Sequence, residues 1–371
     1  METIAAPLPG AAVAPARKRW YRADNIRWLM LFNVIAEHML TQTNLISYNE
    51  AYNWIIVVIV CWSRMITMPT FCFISGYFSK KGDKCYTSAI FDFLIPYIIF
   101  DTLFALLFGF GKDADAAGYY NIFTSTFAYW YLVCMFAWKL MTKALQQIKY
   151  IIPLSIAAAL LVGMCGNVGP FLCLSRTIVF LPYYVVGMKM SREQIAKLEN
   201  LPKLPVLIIT VVVMAAWGWL NVHSIEVFSG VFGVAEHTPV EFIDFYYNDQ
   251  GFAHYGMSAF TGILFRSLGY VVSGLLIVCL YCLVPDRSLP IIREGGTRTM
   301  VPYLLHTYFI IYAGYLYAFV PALDRWYIAV PAAILMSVAL MTVLGLPTLN
   351  DMYNSFIKFI KKLLYQDVKT S

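Results

Sequence analysis

Arg27 and His38 stand eleven residues apart in the run NIRWLMLFNVIAEHML. On a helix that spacing is roughly 16 Å along the axis. If the helix enters a bilayer, the arginine marks one interface and the histidine lies beyond the middle. A polar ring in hydrocarbon is costly unless it is satisfied, so a histidine at that depth needs a partner or a task. Imidazole titrates near neutrality, so a histidine there can take up and release a proton. A second histidine, His306, ends EGGTRTMVPYLLH. It falls about eight residues, roughly 12 Å, inside its own apolar run, deep enough to meet His38. Either it shares in the chemistry or it donates to a backbone carbonyl and holds a helix contact. Glu37, Arg64, Asp101 and Arg266 are the other ionisable groups inside apolar runs. Arg64 and Asp101 are candidates for a buried pair. Glu37 is next to His38, and neighbours on a helix point to different faces, so no dyad is expected between them.

These residues need apolar helices to position them, and the composition supplies such helices. The 371 residues are 60% apolar and only 13% charged, well below the roughly 25% charge of soluble domains. The predicted fold class is all-α, a polytopic membrane protein. About ten runs are long enough to span, near 26–44, 53–76, 88–109, 122–142, 150–166, 174–190, 204–222, 256–284, 299–319 and 326–347. The fifth is short and ends among glycines; the eighth is long enough to be tilted or broken. The eight cysteines lie mostly within these runs without zinc-type spacing, and read as small hydrophobes; no metal is expected.

Orientation follows from the basic residues. With the N-terminus in the cytoplasm, all but five of the 27 lysines and arginines fall in cytoplasmic segments. The five are Arg64, Lys112, Arg176, Arg266 and Arg325. Both termini are therefore expected on the cytoplasmic side. The net charge of +6 follows the membrane and is not read as a nucleic-acid signal. Three segments result: a disordered basic N-terminus over 1–22, a transmembrane domain over 23–350, and an amphipathic basic tail over 351–371 lying along the cytoplasmic surface. No cleavable signal is evident at the start. The longest outer loop, about 223–255, carries Glu226, Glu236, Glu241, Asp244 and Asp249 with His223, His237 and His254 among aromatic residues. It suits a hydroxyl-rich ligand such as a sugar, or an ordinary solvated surface.

Several blocks together resemble the acyltransferase family three of integral membrane enzymes, in the branch that resembles fucose 4-O-acetylases. Arg27 and His38 match its arginine, ten residues, histidine signature. MPTFCFISGYFSKK (68–81), FLIPYIIF (93–100), YWYLVCMF (129–136), SRTIVFLPYYVVGMKM (175–190) and GGTRTMVPYLLHTYFI (295–310) follow in the family's order. The resemblance covers about residues 20–350. The chain departs from the family in the insertion-like loop 223–255 and at AIFDF, where Asp92 occupies the neighbourhood of the family's usual arginine before Leu-Ile-Pro.

The resemblance implies transfer of an acyl group, usually acetyl, from acyl-CoA to a carbohydrate hydroxyl. Acetyl-CoA is then a donor substrate, with no permanently bound cofactor. The donor would enter from the cytoplasm and a carbohydrate or glycolipid acceptor from the other side. Arg27, Lys80, Lys81 and Arg298 would ring the cytoplasmic mouth and meet the CoA phosphates. His38 would be the general base, with a covalent acyl-histidine as second choice. His306 would orient the thioester or its oxyanion. Ser75, Tyr77, Arg64, Trp130 and Arg176 would contact substrate. The rival reading is a secondary transporter or exporter of a sugar or organic anion, which ten spans and a basic mouth also fit. Either is a multi-pass protein of a plasma, inner or internal membrane.

Overall fold

In a bilayer a backbone must satisfy its own hydrogen bonds, so long apolar runs become helices. The computed structural model describes residues 19–43, 53–80, 85–108, 120–166, 168–169, 171–223, 245–247, 250–290, 292 and 295–364. Among these it contains twelve helices and no strands, and one isolated bridge joins Thr124 to Phe171. They are α1 (Tyr21–Thr41), α2 (Trp54–Phe78), α3 (Cys85–Phe108), α4 (Trp130–Gln147), α5 (Ile151–Leu161) and α6 (Leu174–Lys189). After them come α7 (Arg192–Glu199), α8 (Lys203–Val222), α9 (Ala259–Leu283), α10 (Met300–Phe319), α11 (Trp326–Leu344) and α12 (Pro347–Leu364). Ten of these coincide with the ten apolar runs, and α7 and α12 are additional. By length and composition α2, α3, α8, α9 and α11 are each able to cross a membrane. The chain is an all-α, multi-pass membrane protein. Large apolar side chains left bare, such as Leu107, Ile208, Val211 and Leu335, form its lipid-facing surface.

The short fifth run forms α5 and a single 3₁₀ turn, Val162–Met164. The long eighth run is one unbroken helix of 25 residues, about 37 Å, so it fits a hydrocarbon layer of about 30 Å by tilting. Near the start of α3 the backbone passes through a π turn, Ala89–Leu94, a feature that re-aims side chains and often marks functional sites.

Helix α2 is the hub, packing on α1, α6, α8 and α9. Its crossing with α6 is very close. A Cβ on Gly76 would lie 1.9 Å from the Tyr184 carbonyl oxygen, and one on Gly187 would lie 2.0 Å from that of Phe73. Only glycine at both positions permits this approach. The crossing fixes the height of Ser75. Helix α1 lies between α2 and the α10–α11 pair, which brings its inner face opposite α10. The segment 224–244, which holds most of the acidic outer loop, lies outside the described residues, as do Asp249 and the N-terminal residues 1–18.

Candidate active site

The fully buried His306 meets the half-buried His38. The His38 and His306 rings stack with centroids 5.7 Å apart and planes 19° from parallel. Phe127 covers another side of His38, its centroid 4.7 Å away. Phe127 has φ 42°, the left-handed region that a bulky side chain seldom adopts. Its turn is held in place from two directions. Tyr129 donates to the Leu304 carbonyl at 2.7 Å and shares a hydrogen bond with Thr307 at 2.7 Å, tying the turn to α10. Asp101 accepts from the Thr126 backbone N–H at 2.8 Å, from the Thr126 hydroxyl at 2.5 Å and from Tyr120. The candidate Arg64–Asp101 pair therefore does not form. Asp101 is spent on the loop before Phe127, three donors satisfying a carboxylate that burial would otherwise penalise.

Arg64 turns instead to Glu37. Its Nε donates to Glu37 Oε1 at 3.1 Å, and the other carboxylate oxygen lies 3.2 Å from His38 Nδ1. The sequence-based exclusion of a Glu37–His38 contact is thus corrected. Their Cβ atoms do diverge by about 100° around the helix. Both side chains nevertheless extend beyond Cβ and rotate, and their tips converge in the space between α1 and α2. The neighbour rule holds for short side chains and fails for these two.

His306 is fixed differently. Its Nδ1 is 2.6 Å from the carbonyl oxygen of Tyr303, one turn earlier. A carbonyl only accepts, so Nδ1 carries the hydrogen and Nε2 of the neutral ring carries the lone pair. Nε2 is buried and has no hydrogen-bond partner among the described residues. The ring does anchor to a backbone carbonyl, as one of the two sequence readings expected, and it also presents an unused acceptor in the core.

A cavity of about 180 Å³ leads from the basic face towards this pair. Arg27, Ser75, Tyr131, Thr299, Val34 and Tyr303 are among its lining residues. Val34 precedes His38 by one helical turn, and Tyr303 stands one turn before His306. Ser75 and Tyr131 share a hydrogen bond of 2.8 Å in its wall. The π turn of α3 contributes Phe93. At the mouth the Arg27 guanidinium lies 4.4 Å from the Phe78 ring centroid and 3.3 Å from Asp24. Arg298 sits one residue before Thr299. Lys81 lies outside the described residues.

Not every expected residue reaches this cavity. Lys80 donates to the Met190 carbonyl and rests 3.9 Å over the Tyr77 ring, and partial burial lowers its pKa below the usual lysine range. Tyr77 in turn packs on Trp20 at 5.2 Å. Trp20 donates to Glu199, which also pairs with Arg192 and raises the Arg192 pKa. This cluster closes the basic face around α1, α2 and α7. Trp130 and Arg176 lie elsewhere again. The Arg176 guanidinium stands 5.0 Å from the Trp130 ring and 5.9 Å from Tyr247, and Arg64 is 5.8 Å from the same tyrosine. Arg64 thus belongs both to the histidine pair and to an aromatic box beyond it.

Sequence reasoning overlooked Tyr131, Phe127, Phe93 and Tyr247. Tyr303 carried a signal, since it precedes His306 by three residues and shares its face. No sequence signal marks a phenylalanine destined for positive φ.

The fold and site define a multi-pass membrane protein whose cavity runs from a basic mouth to within one helical turn of a stacked histidine pair. A family model described as an acyltransferase domain, of the acyltransferase 3 type, matches residues 20–346. The chain belongs to that family and is a membrane acyltransferase. No curated protein and no solved structure matches it.

Proposed function

We propose that the protein moves an acyl group, acetyl foremost, from cytoplasmic acyl-CoA to a hydroxyl of a carbohydrate or related acceptor, with His38 as general base. The observation that carries this reading is the cavity that starts at Arg27 and ends one turn short of His38 and His306. Its lining is mostly apolar with a few hydroxyls, which suits a thin, flexible pantetheine arm. CoA phosphates would stay outside with Arg27 and Arg298, where a guanidinium grips them bidentately. Lys80 and Lys81 would add positive potential at that face. Ser75 and Tyr131 offer hydroxyls to the amides of the arm.

In the transfer, the acceptor oxygen attacks the thioester carbonyl carbon as its proton passes to His38 Nε2. The C–S bond breaks as the ester forms, and the proton returns from His38 to the departing sulfur, giving free CoA. His306 keeps its Nδ1 hydrogen on Tyr303, so as a neutral ring it accepts rather than donates. It would receive a hydrogen bond from the acceptor hydroxyl or a pantetheine amide, and so orient the thioester without serving an oxyanion. Trp130, Arg176 and Arg64 would meet the acceptor from the side away from the mouth, an aromatic face against a sugar ring and guanidinium groups on its hydroxyls. Tyr77 would support the wall behind Ser75.

The test is release of CoA from acetyl-CoA by the purified protein in nanodiscs, with a panel of hexoses and deoxy-sugars. Wild type should show acceptor-stimulated release, and His38→Ala should lose it by about a hundredfold or more, the scale of a general base. An alanine variant as fast as wild type would remove His38 from the chemistry.

A further inference from the structure

We propose that Glu37 is the positioning residue of His38, and that Arg64 holds Glu37 for that task. The inference rests on the reading of His38 as general base. Glu37 is 5% exposed and sits within the apolar part of α1. A carboxylate there is costly to bury unless both of its oxygens are satisfied. One oxygen receives Arg64 Nε at 3.1 Å, and the other lies 3.2 Å from His38 Nδ1. The arginine comes from α2, so the ion pair also spans the α1–α2 interface.

An ionised carboxylate only accepts hydrogen bonds. The hydrogen of the neutral His38 ring is therefore drawn to Nδ1, and the lone pair is left on Nε2, the nitrogen available to a substrate hydroxyl. The stacked ring of His306 and the tilted ring of Phe127 restrict rotation of the imidazole, so tautomer and orientation are set together. When Nε2 takes the proton, the imidazolium forms beside a fixed negative charge rather than in bare hydrocarbon. The same division of labour between carboxylate and imidazole operates in serine hydrolases. Here the carboxylate comes from the residue next to the histidine, and a second helix supplies the cation that keeps it charged.

The arrangement makes a specific statement about Glu37→Gln. Arg64 only donates, so it would hold the amide oxygen and leave the amide NH₂ against His38 Nδ1. That nitrogen must then accept, and the ring hydrogen moves to Nε2, the wrong end for a base. In ¹⁵N-histidine-labelled full-length protein in nanodiscs, the His38 signal, assigned by its loss in His38→Ala, should show Nδ1–H in wild type and Nε2–H in Glu37→Gln. Acetyl-CoA turnover should fall by about a hundredfold with the KM for acetyl-CoA unchanged. In a His38→Ala background the same substitution should cost nothing further, whereas a merely structural role would add its own loss. If Glu37→Gln does not fold, Glu37→Asp keeps the charge for Arg64 but withdraws it from Nδ1 and should lose the tautomer preference. An unchanged tautomer in the folded variant overturns this inference alone. Full turnover by His38→Ala overturns the reading on which it rests.

Discussion

The two sides of the histidine pair are built differently. Towards the basic face lies a cavity of about 180 Å³ walled by apolar side chains, with Ser75, Tyr131 and Thr299 spaced along it. On the other side the space bounded by Arg64, Arg266, Tyr246, Tyr247 and Phe180 is only about 20 Å³. There arginine and aromatic rings pack on one another, and Arg266 is consumed by the carbonyls of Ala159 and Phe245 at 3.0 and 3.4 Å. The first side is a roomy, mostly apolar cavity. The second is a filled, polar-aromatic wall where Arg64, Arg176 and Arg266 gather, three of the five basic residues that the charge pattern expects outside the cytoplasmic segments. Under the proposed function, this contrast would let the site separate its two substrates by shape on one side and by directional polar contacts on the other. Only the first of these is preformed among the described residues.

This division can be broken one side at a time. The larger effect is expected at the mouth. Arg27→Gln removes a charge-assisted contact of about 1.5–3 kcal/mol, so the KM for acetyl-CoA should rise by about ten- to a hundredfold while the KM for the acceptor stays put. Steady-state kinetics with each substrate varied in turn checks this. A smaller and opposite pattern is expected beyond the histidines. Arg176→Gln leaves the Trp130 ring in place and should raise the acceptor KM several-fold with the donor KM unchanged. If both variants shift the same KM, the two sides do not serve two substrates.

Much of this was legible in the sequence for physical reasons. Ten apolar runs must be helices, because no other backbone survives in hydrocarbon, and the histidines at their depths had to find partners. The depth arithmetic put His306 within reach of His38, and the structure stacks them. What stayed hidden depends on side-chain reach and on backbone departures from regular helix. The Glu37–His38 contact lay behind a face rule that ignores where long side chains end. Arg64 chose Glu37 over Asp101 because Asp101 already had three donors from its own loop, a local choice that no spacing announces. Phe127 and the π turn at Phe93 reach the site through irregular backbone, for which apolar periodicity has no sign. Gly76 and Gly187 were visible as letters in the Ser-Gly-Tyr and Val-Gly-Met blocks, and their purpose appears only once α2 and α6 are seen to touch.

The most direct test of the account is to locate the donor. A photoreactive acyl-CoA analogue, with the reactive group at the acyl end, would be irradiated with wild-type protein in nanodiscs and the labelled peptides mapped. The predicted result is labelling of the turns at 34–38 and 303–306, abolished by excess CoA. Labelling confined to the separate apolar cavity lined by Phe73, Tyr183, Val186 and Ile277, or labelling that CoA does not displace, would contradict the assignment of the donor to the cavity that ends one turn short of the histidine pair.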